Sequence, residues 1–208
     1  MTFPHWLDFL FPPRTDEAVL RGISDDEFLT LLAPRLAEET LPETVALFPF
    51  HAASVRAAIH EAKYHGSERA FELLAAALVE YLRDTDEGFR KPFIVPVPLG
   101  KERRKERGFN QVHEVILRAL RSLGEEGSAR IDADILTRVR ETVSQISLPR
   151  SARIENMRGA FRATRPADPA YTYIVIDDVV TTGATLQAAI DALREAGAAH
   201  IVPLALAH

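Results

Sequence analysis

The sequence predicts an α/β fold: a mainly parallel central sheet flanked by helices, behind a small helical N-terminal region. Two observations carry this reading. Short apolar runs at Phe93-Ile94-Val95-Pro96-Val97, at Tyr173-Ile174-Val175-Ile176 and from Ile201 to Leu206 alternate with segments of helical periodicity. Turn-forming residues separate the two kinds of segment, the order expected of strand–helix–strand units. Ligands of such sheets sit beyond the carboxyl ends of the strands.

Ser24-Asp25-Asp26-Glu27 has the capping-box pattern, and Phe28, Leu31 and Leu32 follow as an apolar face, so a short helix starts there. Pro34 and Pro42 break what comes next, which makes 1–47 a loosely helical region and 48–208 the main domain. Val55, Ile59 and Ala62 lead to Lys63-Tyr64-His65-Gly66, after which Phe71, Leu74, Leu78 and Leu82 recur at helical spacing. The strand at Phe93 runs into a charged loop, Lys101 to Gly108. Val112, Val115, Ile116, Ala119, Leu120 and Leu123 then form the cleanest amphipathic helix of the chain, stopped by Gly124. Residues 135–162 hold six arginines without a sustained period and read as a long excursion or hairpin. The strand at Tyr173 is followed by a loop from Asp177 to Gly183, a helix through Leu186, Ala189, Ile190 and Leu193, and a last strand.

Composition excludes several function classes. The 208 residues carry 25 Lys+Arg, 30 Asp+Glu and a net charge of −5, and 47% are hydrophobic, so the chain is neither disordered nor a polycation. It has no Cys. That excludes disulfides, thiolate-ligated zinc, iron–sulfur clusters and a cysteine nucleophile, and it fits a reducing cytoplasm. Asp8 and Pro12 interrupt the apolar opening, which therefore does not read as a secretory signal, and no later segment suits membrane insertion. Residues 1–90 hold 8 basic and 16 acidic side chains, whereas residues 101–165 hold 15 and 9. A cationic surface on an acidic protein suits a phosphate-bearing ligand or a short stretch of nucleic acid, or else is a solvated helix face.

The chemistry concentrates in Ile174-Val175-Ile176-Asp177-Asp178-Val179-Val180-Thr181-Thr182-Gly183-Ala184-Thr185. An apolar strand delivers two carboxylates to its carboxyl end, and the chain then turns into a helix N-terminus whose unpaired N–H groups favour an anion. Three threonine hydroxyls and a glycine complete a monophosphate cradle. The carboxylates repel phosphate, so they should face a ribose diol, with Mg²⁺ nearby. The string resembles the signature by which type I phosphoribosyltransferases bind phosphoribosyl pyrophosphate. Neither G-x-x-x-x-G-K-[ST] nor G-x-G-x-x-G occurs, so P-loop and Rossmann readings lack their motifs.

Further blocks extend the resemblance: Phe48-Pro49-Phe50 with Val55-Arg56, Lys63-Tyr64-x-Gly66, Val95-Pro96-Val97-Pro98-Leu99, Glu106-Arg107-Gly108-Phe109-Asn110-Gln111, and Leu136-x-Arg138 with Gln145, Arg153, Asn156 and Gly159-Ala160-Phe161. Together and in this order they resemble the ComF (competence protein F) family over roughly residues 46–207. The resemblance implies a type I phosphoribosyltransferase-like fold in the bacterial cytoplasm, with some members tied to DNA uptake during natural transformation. Many relatives carry an N-terminal zinc ribbon of cysteine pairs, which a chain without Cys does not build. His60 and His65, five apart and off a common helical face, are not expected to replace it, so no zinc is expected.

On this resemblance Thr181, Thr182, Gly183, Ala184 and Thr185 hold the 5-phosphate of phosphoribosyl pyrophosphate, while Asp177 and Asp178 hold the ribose hydroxyls. Arg107, Gly108, Phe109 and Asn110 face the pyrophosphate, and Mg²⁺ is held largely through the ligand, with Asp177 and Asp178 as its protein-side carboxylates. Lys63, Arg103, Arg138, Arg150 and Arg153 are candidate lid or phosphate contacts. Two functions fit these residues: transfer of the phosphoribosyl group to an acceptor, or non-catalytic binding of that ligand or of single-stranded DNA in support of DNA uptake. Phe109 and Phe161 are the only aromatics between 101 and 165, a sparse set for stacking on bases. Phe3, Trp6, Phe9 and Phe11 form either a docking patch or an apolar face packed on the protein itself.

Overall fold

A computed structural model describes residues 14–85, 92–124, 129–140 and 155–208. Two short helices come first, α1 (Thr15–Gly22) and α2 (Asp25–Leu29), the second opened by the expected capping box, in which Ser24 accepts from Glu27 N–H and Glu27 accepts from Ser24 N–H. The strands β1 (Arg35–Ala37) and β2 (Thr44–Phe48) follow, then helices α3 (Ala53–His65) and α4 (Glu68–Thr85). Strand β3 (Phe93–Pro96) leads to α5 (Lys101–Arg107) and α6 (Gln111–Leu123), and next come β4 (Arg130–Ile131), β5 (Leu136–Arg138) and β6 (Phe161–Ala163). The chain closes with β7 (Thr172–Val179), α7 (Ala184–Glu195) and β8 (His200–Ala207).

The six-stranded sheet has the order β1-β2-β8-β7-β3-β4. All its neighbours are parallel except β1 against β2. This is the expected fold class. Parallel strands covered by helices on both faces must be apolar on both, and β7 obeys. Ile174 and Ile176 enter a core with α3, α4 and α6, while Tyr173 and Val175 enter a second core with α7 and the β5–β6 hairpin.

Three expectations need correction. The region 1–47 is not simply helical, because β1 and β2 belong to the central sheet; Val45 pairs with Leu204, so the division at 47/48 runs through β2. The charged segment after β3 is helix rather than loop up to Arg107, closed by Gly108 at φ 78°, whose N–H donates to Arg104 O. Pairing of β7 with β8 continues through Asp177↔Ala205 and Val179↔Ala207, so both carboxylates stand on the strand and not in a loop. The two-residue strand β4 has no signal in the apolar pattern, being too short to show a period. The excursion is a hairpin at its base, where Leu136 pairs with Ala163 and Arg138 with Phe161. Gln145, Arg150 and Arg153 lie outside the described residues, as do Phe3, Trp6, Phe9 and Phe11. Among the described residues no helix is long and apolar enough to cross a membrane.

Candidate functional site

A cavity of about 530 Å³ opens over the carboxyl ends of the parallel strands. Asp177, Asp178, Thr181 and Thr185 line one wall, and Lys63, Arg103, Arg107 and Arg138 bring four cationic side chains to the others. The structure thus gathers residues from four parts of the chain that the sequence had singled out separately.

Beside this cavity the turn from Thr181 to Thr185 wraps a small hollow of about 40 Å³. Its shape depends on Gly183, the residue before α7, which sits at φ 68° in the left-handed region. A Cβ there would lie 2.4 Å from the backbone oxygen of Glu39, so no other residue fits. The segment before β2 therefore clamps the turn from outside. Thr181 is exposed, Thr185 is half-buried and both line the main cavity, whereas Thr182 is buried on the Glu39 side. The N–H groups of the first turn of α7 have no carbonyl within the helix to meet, and such ends attract anions.

Side chains alternate across a strand, and this separates the two carboxylates. Asp178 continues the Ile174–Ile176 side, toward α3 and α6; Asp177 continues the Tyr173–Val175 side, toward α7. Asp178 Oδ2 lies 2.8 Å from Lys63 Nζ of α3 and also accepts from Gln111 Nε2 of α6. Burial disfavours its charge, yet the Lys63 ammonium and these hydrogen bonds hold its carboxyl below the ordinary value. Asp177 Oδ1 accepts from the backbone N–H of Asp178 at 2.9 Å. Burial, reinforced by the charge of Asp178, pushes Asp177 up to about 7, with Lys63 and Arg103 pulling the other way. One carboxylate is thus locked in its charged form, and its neighbour is poised to titrate near neutrality.

The Arg107-to-Asn110 segment divides by role. Asn110 caps α6, its Oδ1 accepting from Val112 N–H at 3.0 Å and His113 N–H at 3.4 Å, while its Nδ2 donates to Val97 O at 2.9 Å. That pair of bonds ties the start of α6 to the end of β3. The ring of Phe109 packs edge-on against Phe71, 5.8 Å away, and Gly108 spends its N–H on the cap of α5. Neither lines the cavity. Asn110 and Arg107 both line it, Asn110 with an amide already engaged on Val97 and the start of α6, Arg107 with a guanidinium that faces the cavity. Its Nη1 donates to Gln111 Oε1 at 3.1 Å and its guanidinium stacks over Tyr64 at 5.1 Å, leaving Nε buried without a partner. A buried N–H of that kind suits an incoming anion.

Arg138 lines the cavity from β5, with its guanidinium 5.7 Å from the Phe161 ring. His60 and His65 do come together, contrary to expectation. With Glu61 their ligand-type atoms all lie within 4.8 Å, because the long imidazoles bridge the angular offset on α3. Both oxygens of the buried Glu61, however, accept from Arg14, at 3.0 and 2.7 Å, and His60 Nδ1 faces Asp16 at 2.9 Å.

Gln111 is the functional side chain that sequence reasoning quoted without giving it a role. Its signal was present: it shares the buried stripe of α6 with Val115 and Ala119, four and eight residues on, and a polar residue in an apolar stripe calls for a buried partner. Phe50 and Tyr64 also line the cavity.

No protein-family model matches the chain. Among curated proteins it is 34% identical to the DNA utilization protein YhgH of Escherichia coli over 146 residues, which is 69% of this chain and 62% of that protein. It is 32% identical to the competence protein ComFC of Bacillus subtilis over 106 residues, 51% of this chain and 40% of that protein. The chain therefore spans less than two thirds of the length of these relatives. Among solved structures, a phosphoribosyltransferase from Corynebacterium diphtheriae is similar over 86% of this chain and 78% of that one, at 18% identity and a TM-score of 0.35, a likeness too distant to argue from. The motifs in their order and these relatives show that the chain is a homologue of the YhgH DNA utilization proteins and of the ComF competence proteins.

Proposed function

We propose that the cavity binds phosphoribosyl pyrophosphate with Mg²⁺ and transfers its phosphoribosyl group to an acceptor, as a glycosyltransferase of the phosphoribosyltransferase type. The observation that carries this reading is the convergence on one sheet edge of a threonine-lined helix N-terminus, a carboxylate pair and four cationic side chains. A ribose 5-phosphate bearing a pyrophosphate matches these in kind: the 5-phosphate in the Thr181–Thr185 turn, the diol at Asp177 and Asp178, the pyrophosphate toward Lys63, Arg103, Arg107 and Arg138.

The chemistry needs no protein nucleophile. The bond from ribose C1 to the pyrophosphate oxygen breaks with its electron pair leaving on pyrophosphate, C1 passes through oxocarbenium character, and the acceptor's lone pair forms the new bond. Catalysis then rests on stabilising the departing charge, which is the work of the cations, the Arg107 Nε–H among them. The donor set also fits Mg²⁺, a hard cation that takes oxygen ligands. Asp178 is occupied by Lys63 and Gln111, so Asp177 would hold the ion together with the ligand's own oxygens. When bound, the ion supplies further neutralisation of the pyrophosphate.

A second reading has its own observation. Helix α5 carries five Lys and Arg in seven residues and buries none of them. With relatives named for DNA utilization and competence, that surface supports an accessory role in DNA uptake, binding single-stranded DNA beside the site. Calorimetric titration with phosphoribosyl pyrophosphate and Mg²⁺, against ribose 5-phosphate and AMP, tests the first reading; it expects tight binding that needs the pyrophosphate. Failure of all three ligands to bind would sink it. DNA affinity that falls steeply with salt, and is lost in an Arg104→Glu, Lys105→Glu variant, would carry the second.

A further inference from the structure

We infer that Lys63 is a latch on Asp178 that the ligand must displace, and that this latch selects ribose 5-phosphates bearing a second anionic group at C1 over those without one. The inference rests on the reading of the cavity as a phosphoribosyl pyrophosphate site.

Lys63 stands on the last turn of α3, and its ammonium lies 2.8 Å from Asp178 Oδ2. The same oxygen accepts from Gln111 Nε2. A diol that approaches Asp178 competes with both donors for a buried carboxylate. The two donors differ in what they can do next. Gln111 is 3% exposed, belongs to the first turn of α6 and is tied by its Oε1 to Arg107, so it is held in place. Lys63 is about a fifth exposed, ends a flexible four-carbon stem and shares the cavity with Arg103 and Arg107. It is therefore the donor that leaves.

Leaving has a cost that depends on the ligand. A released ammonium lies in a cavity with Arg103, Arg107 and Arg138, where like charges repel. A pyrophosphate at C1 carries more negative charge than the carboxylate and gives the ammonium a stronger counter-ion, so the exchange is favourable. Ribose 5-phosphate has nothing at C1 to receive it, so that ligand breaks the ion pair without compensation. The latch also neutralises one of two adjacent carboxylates before any ligand arrives.

The test compares Lys63→Met, which keeps the stem and removes the charge, with Gln111→Met, which removes the other hydrogen bond to Asp178 and leaves the cation. Each is titrated calorimetrically with phosphoribosyl pyrophosphate and with ribose 5-phosphate, both in Mg²⁺, and circular dichroism checks the fold. With Lys63→Met the latch expects opposite signs: phosphoribosyl pyrophosphate weakens by about tenfold or more, the worth of a charge-assisted hydrogen bond, while ribose 5-phosphate tightens. Gln111→Met moves both ligands in the same direction. If ribose 5-phosphate is unchanged or weaker in Lys63→Met, Lys63 is only one more cation of the site and the latch is overturned, with the cavity reading intact. If the parent protein binds neither ligand, the cavity reading itself fails and takes the latch with it.

Discussion

The two sides of the sheet at the site handle anionic chemistry by different means. On the α7 side the Thr181–Thr185 turn is made of backbone: Gly183 pressed against Glu39 O, and N–H groups at a helix start. On the α3 and α6 side it is made of side chains: Asp178 joined to Lys63 and Gln111, and Gln111 to Arg107. A backbone cradle has one shape, and losing it costs packing. A side-chain network can exchange partners, so it is where a ligand can change the protein. The contrast teaches that the same strand, through its pleat, presents a rigid half-site on one face and a switchable one on the other.

The largest effect should come from the rigid half. Gly183→Ala puts a Cβ into Glu39 O at a positive φ, and we expect a loss of about 2 kcal/mol or more in chemical denaturation, with the phosphate turn distorted. A variant as stable as the parent would show that the clamp is loose. Next comes the switchable half. Asp177→Asn with Asp178→Asn should weaken phosphoribosyl pyrophosphate by about tenfold or more in calorimetry while circular dichroism stays that of the folded protein; unchanged affinity would remove the carboxylates from the site.

Asn110→Ala removes the cap of α6 and its tie to β3 together, for about 1–2 kcal/mol of stability read in denaturant. A smaller number would mean that α6 is held in place by its apolar face alone. The smallest effect is the pH response of Asp177. The folded protein holds its proton up to about 7, whereas the unfolded chain releases it near 3.8. Between those values the native state binds more protons, so this group makes stability fall as pH rises toward 7 and leaves it lower above. Asp177→Asn should therefore gain on the order of 1 kcal/mol relative to the parent at about pH 8 compared with about pH 6. An equal difference at both would show that Asp177 titrates normally.

Much of the architecture was legible in local pattern. The apolar runs at Phe93, Tyr173 and Ile201 are strands, Val112 to Leu123 is a helix, and Gly124 ends it, since each of these follows from periodicity or turn chemistry within a dozen residues. The turn from Thr181 into α7 was legible for the same reason, being one continuous string. Expectations failed where the partner was distant. β1 and β2 escaped notice because short strands show little period, and their place in the sheet comes from pairing with β8 at the other end of the chain. Gly108 and Phe109 read as ligand contacts, but tertiary packing spends them on a helix end and on Phe71, while Asn110 lines the cavity and also holds Val97.

The sequence by itself determined that this protein is an α/β fold, similar to the ComF competence proteins, with an acidic strand end running into a threonine-rich helix start. Alternation of period 2, helical spacing and glycine's access to positive φ are local, and a chain carries them wherever it folds. Only the tertiary structure decided that pairing with β8 carries β7 on through Asp177 and Asp178, and that Lys63 and Gln111 meet on one oxygen of Asp178. That outcome depends on how α3 and α6 pack over β7, and long-range packing of apolar faces leaves no mark on the spacing of the polar residues it brings together.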